Sequence, residues 1–198
     1  MKNKFEFTLS QEGCTDKNPV GYVNDPQDVG GETVAGISRR YHPQWEGWKL
    51  VDEIKKAIVS PFDLIKALDT TEIHNAIDAF YEQYWKQYKC DEMPIGLGIA
   101  VFDTTFMSGK AINLLQRSIN FVVEDKINMI TVDNVIGMQT ISAIELIRRA
   151  SLMESLVNVY IYNRIVYQME LRDKRKFYRG WAERAGKLGF YLYKNKLL

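Results

Sequence analysis

Residues 12–37 read EGCTDKNPVGYVNDPQDVGGETVAGI. One Glu opens the stretch, and turn-forming residues crowd the remainder: Asn18-Pro19, Gly21, Asp25-Pro26 and Gly30-Gly31. At this density they mark loops, not the interiors of helices or strands. Between them, residues 21–23 and 32–35 have the composition of a small two-stranded ribbon. The loop also carries Asp25, Asp28, Glu32 and Thr33, polar side chains that no core requires. Loops on rigid scaffolds carry function more often than packing.

Working outward, residues 1–11 form a short amphipathic segment with Phe5 and Leu9 four apart on one helical face. Gly13 suits a helix C-terminal cap, which puts Glu12 at the helix end. The negative end of a helix dipole disfavours a second negative charge, and this suits a proton donor. Downstream, residues 38–41 are expected to start a short helix that His42-Pro43 stops. Trp45, Trp48, Leu50, Val51 and Ile54 mark a helix, and Pro61 suits the first turn of another over residues 62–68. Asp69, Thr70 and Thr71 are N-cap candidates for a long helix reaching Tyr88, with Ile73, Ala76, Ile77, Phe80 and Tyr84 as its apolar stripe.

Residues 94–107 are apolar almost all round, as in a buried helix, and Ser108-Gly109 breaks it. Ala111, Leu114, Leu115, Ile119 and Val122 give the next stripe. Residues 124–134 read as a polar connection with a short hairpin over 127–131. Helices follow over 140–150, 155–170 and 172–194, the last basic and aromatic. No repeat at solenoid period is visible. The expected fold is all-α, with one small β-hairpin or loop element near residues 20–36.

Bulk properties narrow the function. Net charge is +1, from 26 basic and 25 acidic side chains among 198 residues, which argues against a nucleic-acid binder. Cys14 and Cys90 are the only cysteines, too few for a disulfide framework or a cysteine zinc site. Asn24, Asp25 and Asp28 lack the spacing of a twelve-residue calcium loop. No metal and no cofactor are expected. The N-terminus shows no apolar signal segment, and no apolar run is long enough to span a bilayer. Synthesis in the cytoplasm without stable membrane insertion is the expectation, as a monomer.

The pattern Glu12-Gly13-Cys14, Tyr22-Val23-Asn24-Asp25-Pro26, Asp28, Gly30-Gly31, Thr33 and Gly36-Ile37 resembles glycoside hydrolase family 108. Those are the lysozyme-like N-acetylmuramidases, or endolysins, of phages and prophages. Cys14 stands where the family has a second glycine, and residues 15–21 look inserted. Further resemblance lies in Tyr84-Trp85, in Phe102-Asp103-Thr104 with Ser108-Gly109, and in Phe177, Arg179-Gly180-Trp181 and Arg184. Leu115-Gln116 and residues 132–140 are similar to the predicted peptidoglycan-binding region that accompanies the family. There Asn134 replaces a usual Gly and Met138 a usual Pro; Asn tolerates left-handed backbone better than most residues. The resemblance implies a lysozyme-like catalytic lobe over 1–93 and a helical peptidoglycan-binding lobe over 94–198, packed as one unit.

Glycoside cleavage needs a proton for the leaving oxygen and a second group on the other face of the sugar. Glu12 is the candidate acid. By resemblance to the Asp and Thr of phage lysozymes, Asp28 would steer or deprotonate the attacking water and Thr33 would hydrogen-bond it; Asp25 is the alternative carboxylate. Tyr22, Trp45 and Trp85 are candidate apolar faces for sugar rings, and Asn24, Asp25 and Asp103 candidate partners for polar substituents. The four Trp residues and both His residues also have plain structural readings, and the basic run at 172–176 that of a solvated face. The expected function is an N-acetylmuramidase that cleaves the β-1,4 bond between N-acetylmuramic acid and N-acetylglucosamine with inversion. It would act on the cell wall after release through a holin-type pore. The alternative is a wall-binding or secretion-associated protein on the same fold, motivated by Cys14 and the inserted 15–21.

Overall fold

A computed structural model of the chain describes residues 4–25, 30–58, 60–123 and 129–198, with the side chains of 61, 62, 172 and 173 left aside. The chain divides into two units, residues 1–84 and 85–198. It is mainly helical with one small sheet, as the sequence predicts.

In the first unit, α1 (Glu6–Gln11) buries Phe7 and Thr8, with Phe5 buried just before it. It ends as expected: Gly13 is left-handed (φ +84°), and the Cys14 amide donates back to Leu9 O at 3.1 Å. That 6→1 bond closes the cap around Glu12. The segment 15–21 is ordered by its own polar groups. Asn18 brackets Tyr22, Nδ2 donating to Tyr22 O and Oδ1 accepting from Tyr22 N, each at 3.0 Å. Val20 is fully buried.

The sheet comprises β1 (Val23–Asn24), β2 (Glu32–Val34) and β3 (Ile37–Ser38), antiparallel in the order β1-β2-β3. The expected ribbon is there, with a third strand where a short helix was anticipated at 38–41. The reason is local. Ala35 (φ +47°) and Gly36 (φ +73°) form a two-residue turn with both backbones left-handed, which pairs Val34 with Ile37. Such turns match the twist of a hairpin and carry the chain straight back into a strand. The Ala35 carbonyl accepts from buried Tyr81 Oη at 2.8 Å, anchoring the turn.

Helices α2 (Gly47–Ala57) and α3 (Pro61–Ala67) come next, with Pro61 in the first turn as expected. Then comes α4 (Thr71–Gln87), whose last residues belong to the second unit. Trp45 meets Trp48 edge-on at 4.9 Å between ring centres and donates to Ala76 O, and Trp48 donates to His42 O. His42 packs edge-on against Phe80, and His74 pairs with Asp69.

The second unit is built around α5 (Ile95–Met107), in which every residue from Gly96 to Thr104 is buried. Helices α6 (Ala111–Val123), α7 (Met138–Arg149), α8 (Met153–Glu170) and α9 (Tyr178–Lys194) complete it. A 3-10 run over Arg172–Phe177, with non-helical backbone at Lys174, precedes α9 in place of one continuous helix. The hairpin expected at 127–131 falls partly outside the described residues, and no strand forms in its described portion. Gln116, almost fully buried, clasps the loop before α7. Its Nε2 donates to Asp133 Oδ1 (2.7 Å) and Val135 O (3.0 Å), and its Oε1 accepts from the Asp133 and Asn134 amides. Asn134 is left-handed (φ +64°), as its replacement of a glycine predicts. Among the described residues, no helix is long and apolar enough to cross a membrane.

Candidate active site

The first unit fixes Glu12 by backbone contact. Its side chain lies half-buried over the left-handed turn between β2 and β3. A Cβ placed on Gly36 would come within 2.6 Å of Glu12 Oε2 and 2.9 Å of its Cγ and Cδ. A Cβ on Gly21, also left-handed, would lie 2.7 Å from Glu12 O and 3.1 Å from Cys14 Sγ. Two glycines from different turns therefore leave the space that Glu12 occupies. Burial, and after it the negative charge of Glu12, push the Cys14 thiol up to about 11. At neutral pH this thiol stays protonated and a poor nucleophile.

Thr33 is in β2, opposite Val23 and Ser38. Cross-strand partners share a face, and successive residues alternate. Thr33 therefore shares a face with Val23 and Ser38, and Asn24 with Glu32 lies on the other. Asp25 is exposed after β1. Asp28, expected to steer water, lies outside the described residues.

Tyr22 and Asn24 come together with Lys55, Ile58, Ser60, Leu64 and Ile65 around a groove of about 450 Å3. At its edge is an ionic cluster that sequence reasoning missed. Glu32 Oε1 accepts from Tyr22 Oη (2.9 Å) and Lys55 Nζ (2.8 Å), and its Oε2 pairs with Arg39 Nε at 2.7 Å. Arg39 in turn makes two bonds to Asp52 and lies over the Trp48 ring at 4.3 Å. Burial alone would raise the Glu32 pKa. Hydrogen bonds from Lys55 and Tyr22, with the charges of Arg39 and Lys55, outweigh burial and hold it below the usual carboxylate range. The Tyr22 hydroxyl is pushed up to about 12 by burial and by its bond to Glu32. Glu32 thus ties the sheet to α2. The sequence places it in the loop, but its cationic partners lie seven (Arg39) and 23 (Lys55) positions on, beyond any local pattern.

Two expected substrate contacts are corrected. Trp85 is 1% exposed and donates to Asp91 Oδ1 at 2.6 Å, so its ring has no face for a sugar. Asp103 is wholly buried in α5 between two guanidinium groups: Arg164 Nη1 at 2.7 Å from Oδ2, and Arg184 Nη2 at 2.7 Å from Oδ1. Burial alone would raise its pKa; the charges of Arg184 and Arg164 hold it below the ordinary value. The sequence offers Asp103 as a partner for polar sugar substituents, although it lies in a helix read as buried. The structure makes it an ion-pair centre joining α5, α8 and α9.

Residues 5–109 match a glycoside hydrolase family model, which places the chain among the glycoside hydrolases. More narrowly, it belongs to Glycosyl hydrolase 108, as the motif around Glu12 led us to expect. Residues 110–186 match a second model, the Predicted Peptidoglycan domain. No curated protein matches the sequence. The chain is similar to the solved structure of Brucella abortus SagA, with a TM-score of 0.64 and 24% identity over 96% of this chain and 91% of that one. At that identity the likeness shows a shared fold.

Proposed function

We propose that this protein is an N-acetylmuramidase that hydrolyses the β-1,4 bond between N-acetylmuramic acid and N-acetylglucosamine, with Glu12 as general acid. The observation that carries this reading is the seat of Glu12: a half-buried carboxyl at a capped helix end, lodged on the Gly36 turn of the hairpin that bears Thr33. A proton donor must be held still beside the leaving oxygen, because misplacement weakens general acid catalysis steeply. The glycine turn beneath the carboxyl provides that.

In the reaction, Glu12 delivers its proton to the glycosidic oxygen as the bond to the anomeric carbon breaks. Water attacks from the opposite face and gives its proton to a carboxylate, for which Asp28 is assigned from sequence alone, with Asp25 as the alternative. Thr33 Oγ1 would hydrogen-bond that water. A single displacement of this kind inverts the anomeric centre. Action on the cell wall as an endolysin, reached through a holin-type pore, is the setting we infer.

The test is digestion of purified peptidoglycan, borohydride reduction and mass spectrometry of the products. Reduced N-acetylmuramic acid ends are expected from the wild type and none from Glu12→Gln. Reduced glucosamine ends, or equal digestion by both proteins, would overturn the assignment. Proton NMR of the first-formed anomer decides inversion.

A further inference from the structure

The second unit has a groove of about 250 Å3 between α6 and α8, whose two helices pack on each other. Lys110, at the start of α6, Leu114 and Arg117 succeed one another at helical spacing along one wall. Val166, Tyr167 and Glu170 line the other. Leu114 and Val166 give it an apolar lining, Asn113 and Asn163 add amide groups, and the rim is charged. Lys110, Arg117 and Glu170 are exposed, and among the described residues none of the three charges is taken up in an ion pair. That contrasts with Glu145, Arg148 and Arg149 on α7, or Arg179 and Glu183 on α9, which neutralise one another along their helices.

We propose that this groove binds the peptide stem of peptidoglycan, with stem carboxylates at Lys110 and Arg117 and a stem amine at Glu170. The argument is charge complementarity and reach. Stem peptides carry free carboxylates, and a diamino acid in the stem adds a free amine, so two cations and one anion around a lining of mixed apolar and amide side chains match them. Lys110 and Arg117 are seven residues apart on a helix, about 10 Å along its axis. Three residues of extended peptide span about the same length. Tyr167 supplies a ring against which the peptide backbone lies. In stem-bearing peptidoglycan the lactyl carboxyls are taken up in amide bonds, so the charges that meet these cations are those of the stem. The inference rests on the preceding reading only for which polymer is met.

The test is NMR titration of the full, isotope-labelled chain with the tripeptide L-Ala-γ-D-Glu-diaminopimelate. Shifts in the amides of α6 and α8 are expected. The double variant Lys110→Ala/Arg117→Ala, altered only at exposed positions, is expected to bind at least tenfold more weakly. Glu170→Gln is expected to lose the preference for the tripeptide over the form acetylated only at its diaminopimelate side-chain amine. An absence of shifts at millimolar peptide, shifts confined to the first unit, or unchanged binding by the double variant would overturn the proposal. Cleavage of peptide-free glycan strands by the double variant is expected to equal that of the wild type. Peptide binding without glycan cleavage would overturn the hydrolase reading alone; cleavage without peptide binding would overturn the groove alone.

Discussion

Gly36 lies directly beneath the Glu12 carboxyl, with left-handed backbone (φ +73°) and room for no side-chain atom. Gly36→Ala meets two penalties. A left-handed alanine costs about 1–2 kcal/mol, and its Cβ must displace the carboxylate. We expect a melting temperature lower by several degrees and a loss of peptidoglycan hydrolysis of tenfold or more. Calorimetry and reducing-end release measure the two. A variant as active as the wild type would show that the carboxyl's seat does not matter.

Tyr81 holds the same turn through Ala35 O. Tyr81→Phe keeps the ring and removes the donor, leaving a carbonyl without its partner in the core. The expected loss is about 1–3 kcal/mol of stability, read from urea denaturation. Hydrolysis should fall as well, since the turn also positions Glu12.

Cys14 offers a spectroscopically simple probe of the site. With its thiol pushed up to about 11 by burial and by Glu12, it should alkylate slowly at pH 8. Thiol titration of the native protein is expected to detect little reaction, since Cys14 is half-buried and Cys90 buried, and both cysteines should react after denaturation. Glu12→Gln removes the neighbouring charge and should speed alkylation of Cys14.

Asp103 governs the acid stability of the second unit. Its folded-state pKa is below that of the unfolded chain, so its contribution is full above the ordinary carboxylate value of about 4. It is lost as pH falls through the folded value. Asp103→Asn leaves Arg164, which is 1% exposed, with a buried and uncompensated charge. We expect a cost of about 3–5 kcal/mol. We also expect a flatter dependence of stability on pH in the acid range, both from denaturation curves at pH 3 to 7. Glycan binding should change only as far as folding does.

Much of the backbone plan was legible in the chain itself. Gly13 as a helix cap, Pro61 in a first turn and the left-handed Asn134 are each set by one residue and its near neighbours, and a nearly unbroken apolar run marks α5 as buried. Steric and capping effects of that kind act over a turn or less, so local sequence carries them. The motif around Glu12 was legible for the same reason, since its spacing is short and its residue types are specific.

Tertiary structure alone decided the polar residues. Asp103 takes its place from Arg164 and Arg184, which are 61 and 81 positions away. Trp85 takes its burial from the helices around it, and Thr33 and Asn24 take opposite faces from the register of a three-stranded sheet. A carboxylate, an indole or a hydroxyl has the same local propensity whether it meets solvent, an ion pair or a substrate. Only the partners brought by the folded chain set its protonation, its exposure and its use.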